Sequence, residues 1–194
     1  MDYVKLFLYS SEIKYKEESI MEIYFKDDNL TIRTLTYSDA EEITQEECAQ
    51  GWNASIDKYC NRLKDMEDGK AVALAAVYQG KAAGYINVYF NSQWGAFANQ
   101  GLCEIVDFGV LEKYRRLGIG SRLMDTAEQI AKQYSDRVYL GVGLHSGYGS
   151  AQRMYVKRGY IPDGSGVWYG ESVCEQNANC VNDDDLVLYF YKKF

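Results

Sequence analysis

The sequence predicts an α+β or mixed α/β domain. Strand patterns dominate the first half of the chain, and a strand–helix–strand–helix–strand order follows in the second half. A length of 194 residues fits one domain, and 47% hydrophobic residues are enough to build a core. We expect this domain over residues 28–194. The Lys- and Glu-rich part of the preceding extension, residues 1–27, could be an added strand, a helix or a poorly ordered tail.

Two helices and four strands are predicted in the first half of the domain. Ser38 can cap the first helix, and Glu41, three residues later, completes a capping box. The second helix is predicted over residues 55–64. Four segments have strand patterns bounded by turn residues: 29–35, 71–78, 82–90 and 103–110.

The helix predicted over residues 118–134 has the clearest pattern in the second half. Six residues repeat at three- and four-residue steps and predict one buried stripe: Leu123, Met124, Ala127, Ile130, Ala131 and Tyr134. A strand is predicted at 138–142, and a short helix over 150–158 ends at Gly159. Three further segments are predicted to close the sheet: 160–161, 166–169 and 186–191.

The composition argues against nucleic-acid, metal and membrane functions. The net charge is −7 and no Lys/Arg-rich run is present, which disfavours binding to the phosphate backbone of a nucleic acid. A single histidine, His145, excludes zinc motifs that need two. No window approaches the roughly 20 apolar residues of a membrane helix. The N-terminus lacks signal-peptide features, so we expect a cytoplasmic protein.

The five cysteines predict free thiols. They are scattered, odd in number and form no C-x-x-C pair, which is typical of a reducing compartment. Cys174 and Cys180 are the exception, since they could pair within a loop.

Residues 104–124 are the most informative segment for function. A strand runs into a short loop that opens a helix, and Gly118 and Gly120 leave room for a ligand to approach the backbone. The first N–H groups of such a helix are unpaired and lie at the positive end of its dipole. Three arginines add positive charge: Arg115, Arg116 and Arg122. A pyrophosphate is the predicted ligand.

Two other phosphate-binding motifs do not fit. The dinucleotide fingerprint needs a third glycine where Leu123 stands, which disfavours a dinucleotide-dependent oxidoreductase. The P-loop needs Ser or Thr after Gly-Lys, and both Gly-Lys pairs are followed by alanine, Ala71 and Ala82.

The loop Arg115-Arg116-Leu117-Gly118-Ile119-Gly120 resembles the acetyl-CoA loop of the GNAT superfamily of N-acetyltransferases, Arg/Gln-x-x-Gly-x-Gly/Ala. A second family signature, Ala-x-x-x-Tyr-x-x-x-Gly-Phe/Tyr, is matched at the right distance by Ala151, Tyr155, Gly159 and Tyr160. One departure is Tyr148, because the family often has Asn there. The resemblance implies a central mixed, mostly antiparallel sheet flanked by helices. That sheet splays beside the cofactor strand, with coenzyme A in the gap.

The resemblance also implies acetyl transfer from acetyl-CoA to a primary amine of a small molecule or peptide, by direct attack in a ternary complex. A non-catalytic acyl-CoA sensor is the alternative. Family members often dimerise, so a homodimer is an option. The sequence leaves the acceptor open among antibiotic amines, polyamines, amino acids and protein N-termini.

Two residues are candidates for proton transfer. Tyr155 matches the family's catalytic acid, although its spacing with Ala151 and Met154 also fits a core stripe. Glu104 holds a place similar to the catalytic glutamate of the histone-acetylating branch and is our first choice for base. Regular alternation puts Glu104 on one face with Val106 and Phe108, where an apolar environment could raise its pKa. There are three alternatives. Asp107 could be the base if a bulge turns it to the same face, or a water chain could carry the proton. Glu104 could instead form a structural ion pair.

The remaining predicted site residues contact the cofactor. The strand end should offer backbone groups to the pantetheine arm, and the Val110 N–H is the expected oxyanion donor. The resemblance implies these cofactor-binding residues: Phe108, Gly109, Val110, Arg115, Arg116, Leu117, Gly118, Ile119, Gly120, Ser121, Ser150 and Lys157. Lys157 or Arg153 could reach the 3′-phosphate or lie on a solvated helix face. His145 is predicted to be a hydrogen-bonded loop residue, with a proton relay as the alternative.

Overall fold

The computed structural model describes residues 21–194, which form one nine-stranded sheet with helices packed on both faces. The strands in chain order are β1 (Ile23–Lys26), β2 (Leu30–Thr34), β3 (Ala71–Tyr78), β4 (Lys81–Tyr89), β5 (Cys103–Val110), β6 (Arg137–Gly143), β7 (Ile161–Tyr169), β8 (Ser172–Val173) and β9 (Leu186–Lys193). The helices are α1 (Tyr37–Ala49), α2 (Ile56–Glu67), α3 (Ile119–Tyr134) and α4 (Gly149–Lys157). Short 3₁₀ turns span Glu112–Tyr114 and Ser146–Tyr148.

The sheet is mixed and mostly antiparallel, which confirms the predicted fold class. Its spatial order is β1-β2-β3-β4-β5-β6-β9-β7-β8, and β5 with β6 is the one parallel pair in this part of the chain. Strand β1 lies within the predicted extension and pairs with β2. The alternatives predicted for residues 10–20 lie outside the described residues.

Alternating side chains of β3 divide the core between two helical layers. Leu74 and Ala76 are buried in the cluster that contains α3, whereas Ala73 and Ala75 are buried in the cluster that contains α1 and α2. This is the pattern of a central strand covered on both faces, so its sequence reads as a nearly continuous apolar run.

Helix α1 is capped by residues other than the predicted pair. The N-cap is Thr36, whose hydroxyl accepts from the Asp39 N–H, while the Asp39 carboxylate accepts from the Thr36 N–H at 2.8 Å. Ser38 lies inside the first turn, so the prediction of a Ser38–Glu41 box is wrong. Arg33 on β2 pairs with Asp39 at 2.6 Å, and this tertiary contact selects between two locally adequate boxes.

The stripe predicted on α3 is confirmed except at its last member. Leu123, Met124, Ala127, Ile130 and Ala131 are buried, but Tyr134 is 57% exposed. Tyr134 is the last residue of the helix, and its ring stacks on Phe90 at 4.1 Å at the edge of the core.

The closing strands differ from the prediction. Residues 160–161 and 166–169 were expected as separate strands, but Ile161–Tyr169 is one strand with an irregular register between Pro162 and Val167. Gly164 and Gly166 have φ of 89° and 94° within this irregularity, a conformation that glycine adopts without strain. Among residues 21–194, no helix has the length and apolar character that crossing a bilayer requires.

Candidate active site

A gap opens in the middle of the sheet, between the parallel strands β5 and β6. Their pairing covers only Cys103 with Val138 and Glu104 with Tyr139. Beyond that point β5 continues to Val110 and β6 to Gly143 without pairing to each other. Beyond Glu104, the backbone groups of β5 that face the gap therefore have no partner on β6. Since buried N–H and C=O groups require partners, these groups are available to a bound molecule.

A β-bulge at Asp107 lies directly beyond the last paired residues. On β4, Tyr85 faces Gly109 and Asn87 faces Val106, so two residues of β5 stand opposite one residue of β4. Asp107 has φ of 50°, in the left-handed region. The bulge reverses the alternation, because Phe108 then joins Ile105 in the cluster that contains α3. The prediction that Glu104 and Phe108 share a face is wrong for this reason.

An ion pair to helix α2 holds the bulge. The Asp107 carboxylate accepts from Nε of Arg62 at 2.7 Å, and the same guanidinium donates to the Tyr89 hydroxyl. Burial opposes the charged form, but the Asp107 carboxylate and then the Tyr89 hydroxyl together raise the Arg62 pKa. Asp107 therefore has a structural partner, and no sequence pattern predicts this contact between residues 45 positions apart.

The predicted pyrophosphate loop leads into the N-terminus of α3. Gly118 is the N-cap with φ of 80°, and no side chain caps this end. The first backbone bond into the helix comes from the Arg122 N–H to the Gly118 carbonyl, at 3.1 Å. The preceding N–H groups point out of the helix at the positive end of its dipole, as the sequence predicts for an anion site.

Gly120 lies where α3 packs against β5. A Cβ placed there would lie 3.2 Å from the Phe108 ring, so glycine lets α3 approach β5 closely. Gly118 provides the left-handed backbone conformation, and Gly120 provides the close helix–strand contact. That both glycines leave room for a ligand stays a prediction.

Of the loop arginines, Arg116 is the most available to an anion. It is exposed and has no ion pair with any residue from 21 to 194. Arg115 contacts Glu112 at 3.4 Å and lies over the Trp52 ring at 5.4 Å. Arg122 contacts Asp125 at 3.7 Å and lies over Phe25. Such exposed pairs are weak and can be exchanged for a ligand phosphate.

Glu104 is buried at the point where the gap begins. Its side chain is 7% exposed, and burial raises the pKa to about 7 although the Ser92 and Tyr139 hydroxyls partly offset the effect. The Tyr139 hydroxyl donates to Oε2 at 3.4 Å. Glu104 forms no ion pair within the described part of the chain, so the structural ion pair considered above is not found there. A carboxyl with a pKa near neutrality can both accept and release a proton.

The Val110 amide faces the gap. The N–H of Leu111 donates to the Ala83 carbonyl on β4 at 3.0 Å, so strand alternation turns the Val110 N–H to the opposite edge. Gly109, between the bulge and Val110, lies against Tyr85, whose hydroxyl would be 2.8 Å from an added Cβ. A side chain larger than hydrogen at Gly109 would displace the strand that presents this amide.

Tyr155 is a core residue, and its role as the catalytic acid stays a prediction. Its ring is 6% exposed and belongs to the apolar cluster that includes Phe108 and Val110. Its hydroxyl makes no hydrogen bond to any residue in 21–194. Burial, followed by the proximity of Tyr148, raises the Tyr155 pKa, so the phenol stays protonated at neutral pH.

A hydrogen-bonded cluster connects the end of β6 to the loop before β9. Asp184 accepts from the Nε2 atom of His145 at 3.0 Å and from the Tyr148 hydroxyl at 2.9 Å. These two contacts, His145 first, lower the Asp184 pKa. His145 is thus a hydrogen-bonded loop residue, as predicted. No local sequence signal predicts its partnership with Asp184, because the two residues are 39 positions apart.

Ser121, Ser150 and Lys157 stay predictions as cofactor contacts. All three are exposed, and none has a side-chain hydrogen bond or ion pair within residues 21–194. Trp94 packs edge-on against Tyr89, and Trp168 packs edge-on against Tyr189.

Residues 33–160 match the model of the Acetyltransferase (GNAT) family. A comparison with curated protein sequences gives no match.

Solved structures share the fold at low sequence identity. Ard1 from Thermoplasma volcanium is 19% identical, with 85% of this chain and 97% of that chain covered and a TM-score of 0.62. The acetyl transferase that modifies the N-terminal serine of ribosomal protein L7/L12 from Salmonella typhimurium is 13% identical, with 89% and 99% covered and a TM-score of 0.64. A spermidine N-acetyltransferase SpeG chimera from Vibrio cholerae and hSSAT is 15% identical, with 86% and 96% covered and a TM-score of 0.61.

Proposed function

The chain belongs to the GNAT family of acetyltransferases, and we propose that it transfers the acetyl group of acetyl-CoA to a primary amine of a small molecule or peptide by direct attack in a ternary complex. The observation that carries this proposal is the gap between β5 and β6, with Glu104 buried where the gap begins and the Val110 amide facing it.

Acetyl-CoA fits the groups around the gap. The left-handed Gly118, the free N–H groups of the first turn of α3 and the unpaired Arg116 are suited to a diphosphate. The unpaired edge of β5 is suited to the amide groups of a pantetheine arm. When bound there, acetyl-CoA supplies the electrophilic thioester carbon.

Glu104 accepts the proton of the attacking amine. A primary ammonium has a pKa near ~10.4, so only about one amine in a few thousand is neutral at pH 7. A carboxylate whose pKa is raised to about 7 is a stronger base than an exposed one and is still substantially ionised at neutral pH. Asp107 is less suited to this role, because its carboxylate is held by Arg62 at 2.7 Å.

Val110 and Tyr155 stabilise the charges that develop as the C–N bond forms and the C–S bond breaks. The Val110 N–H donates to the thioester oxygen as it gains negative charge. The Tyr155 hydroxyl, protonated and without another hydrogen bond in the described chain, donates to the leaving thiolate.

The acceptor class is proposed from chemistry and from the structural neighbours together. Two of those neighbours are described as acting on a protein N-terminal serine and on spermidine, and both substrates present primary amines. Carboxylates near the gap (Glu104, Asp107 and Asp184) favour a cationic amine over an acidic acceptor.

A thiol-release assay over a panel of amines tests this function. The panel contains spermidine, free amino acids, an aminoglycoside and short peptides with free N-termini, and mass spectrometry identifies the acetylated product. We expect thiol release and a product heavier by one acetyl group with at least one class of amine. Binding of acetyl-CoA without thiol release on any amine would contradict the proposal and favour a sensor. Binding of NAD in preference to coenzyme A would contradict both.

A further inference from the structure

Two of the five cysteines lie together in the segment between β8 and β9. The Sγ atoms of Cys174 and Cys180 are 3.0 Å apart, and both residues are at least partly exposed. Only five residues separate them in sequence, so the contact is local to this segment. Elsewhere, Cys103 is buried, while Cys48 and Cys60 lie on the separate helices α1 and α2.

The surroundings favour a dithiol over a metal site. No third cysteine, histidine or carboxylate joins the pair in a potential metal-binding group within residues 21–194. The hydrogen bond with Cys180 raises the Cys174 pKa, because it favours the protonated thiol.

We propose that Cys174 and Cys180 are a reversible disulfide site, a dithiol in the reduced protein that a low-molecular-weight disulfide oxidises. One thiolate attacks a sulfur of glutathione disulfide, which forms a mixed disulfide and releases one glutathione thiolate. The second cysteine then attacks the protein sulfur of that mixed disulfide and releases the other glutathione. The two cysteines lose two protons and two electrons, and the glutathione disulfide gains them.

The disulfide would restrain a segment that contacts β7 and the turn after β6. Cys174 donates its N–H to the Val167 carbonyl on β7 at 2.7 Å, so one end of the closed ring is anchored to the sheet. Four residues after Cys180, Asp184 makes its contacts with His145 and Tyr148. Oxidation therefore shortens the free chain between the anchored hairpin and the Asp184 cluster.

Peptide mapping tests the proposal directly. Residues 159–192 contain no Lys or Arg before Lys192, so one tryptic peptide carries both cysteines and no others. Glu175 lies between them, so cleavage after glutamate separates the two cysteines unless they are bonded. The reduced protein is incubated in glutathione buffers of increasing oxidised fraction, quenched in acid, alkylated and digested with both proteases.

We expect the two fragments to remain linked after oxidation, the number of free thiols to fall from five to three, and dithiothreitol to reverse both changes. Hydrogen exchange at the Cys174 and Ala178 amides should slow by up to about 50-fold on oxidation, from the chain-entropy estimate for a seven-residue loop. Cys48→Ser, which removes an exposed thiol outside the segment, should keep the linkage. Cys180→Ser should abolish it. Separate fragments carrying alkylated or singly glutathionylated cysteines in the oxidised wild type would overturn the proposal.

Discussion

Replacing Glu104 with Gln should stabilise the protein at alkaline pH while it removes the proposed base. The carboxyl is 7% exposed, and burial raises its pKa from 4.5 to about 7. The glutamine amide is nearly isosteric and its oxygen can still accept from the Tyr139 hydroxyl. The variant therefore mimics the protonated carboxyl at every pH.

The magnitude follows from the difference between the folded and unfolded pKa values. Between pH 4.5 and 7 the folded protein holds a proton at Glu104 that the unfolded chain has lost, so stability falls as the pH rises through this interval. A shift of this size corresponds to about 3 kcal/mol, of which about 2.5 kcal/mol falls between pH 5 and pH 8. Glu104→Gln does not lose this stability, because the glutamine side chain does not titrate.

Urea denaturation at pH 5 and pH 8 measures the effect. We expect the stability of Glu104→Gln relative to wild type to increase by about 2.5 kcal/mol from pH 5 to pH 8. Glu171→Gln, which removes one exposed carboxylate from the β7–β8 turn, controls for net charge. A stability difference that is the same at both pH values would show that Glu104 does not titrate near neutrality, and its assignment as base would lose its physical support.

Three further substitutions test other parts of the site. Tyr155→Phe should lower kcat by about 10- to 100-fold, because a single proton donor is lost. The Kd for acetyl-CoA should stay within about twofold of wild type. An unchanged kcat in the thiol-release assay would show that Tyr155 takes no part in the chemistry. Asp107→Asn keeps a residue that tolerates the left-handed backbone but leaves Arg62 without its nearest carboxylate, so thermal unfolding should show a loss of about 1–2 kcal/mol. Equal stability of Asp107→Asn and wild type would show that the ion pair does not hold the bulge. Gly118 has φ of 80°, which disfavours alanine, so Gly118→Ala should cost about 1 kcal/mol of stability and weaken acetyl-CoA binding. An unchanged affinity measured by calorimetry would contradict the role of this turn.

Elements with strong local patterns were predictable from the sequence. The bounds of β5 and the buried stripe of α3 follow from residues that are neighbours along the chain, and the structure confirms both except at Tyr134. The loop from Arg115 to Gly120 is equally local, and its Gly118 is the N-cap of α3 with φ of 80°. The first helix shows the limit of such patterns: two capping boxes overlap in sequence, and the one that forms contains Asp39, which pairs with Arg33 on β2.

The features that make the site were not readable from local patterns. The gap arises because β5 and β6 diverge after Glu104 and Tyr139, a property of the packed sheet. The bulge at Asp107 changes the face on which Phe108 lies, and alternation rules cannot show where an extra residue is inserted. The contacts of Asp107 with Arg62 and of Asp184 with His145 join residues far apart in sequence.

Isothermal titration of coenzyme A into the purified protein tests most directly whether the turn before α3 holds a diphosphate. We expect saturable heat at one site per chain, with an affinity that falls as the salt concentration rises. Arg116→Ala should lower the affinity further, because it removes a cation that has no ion pair within residues 21–194. Absence of heat with the folded wild-type protein, or equal affinity for coenzyme A and for pantetheine lacking the diphosphate, would contradict the assignment.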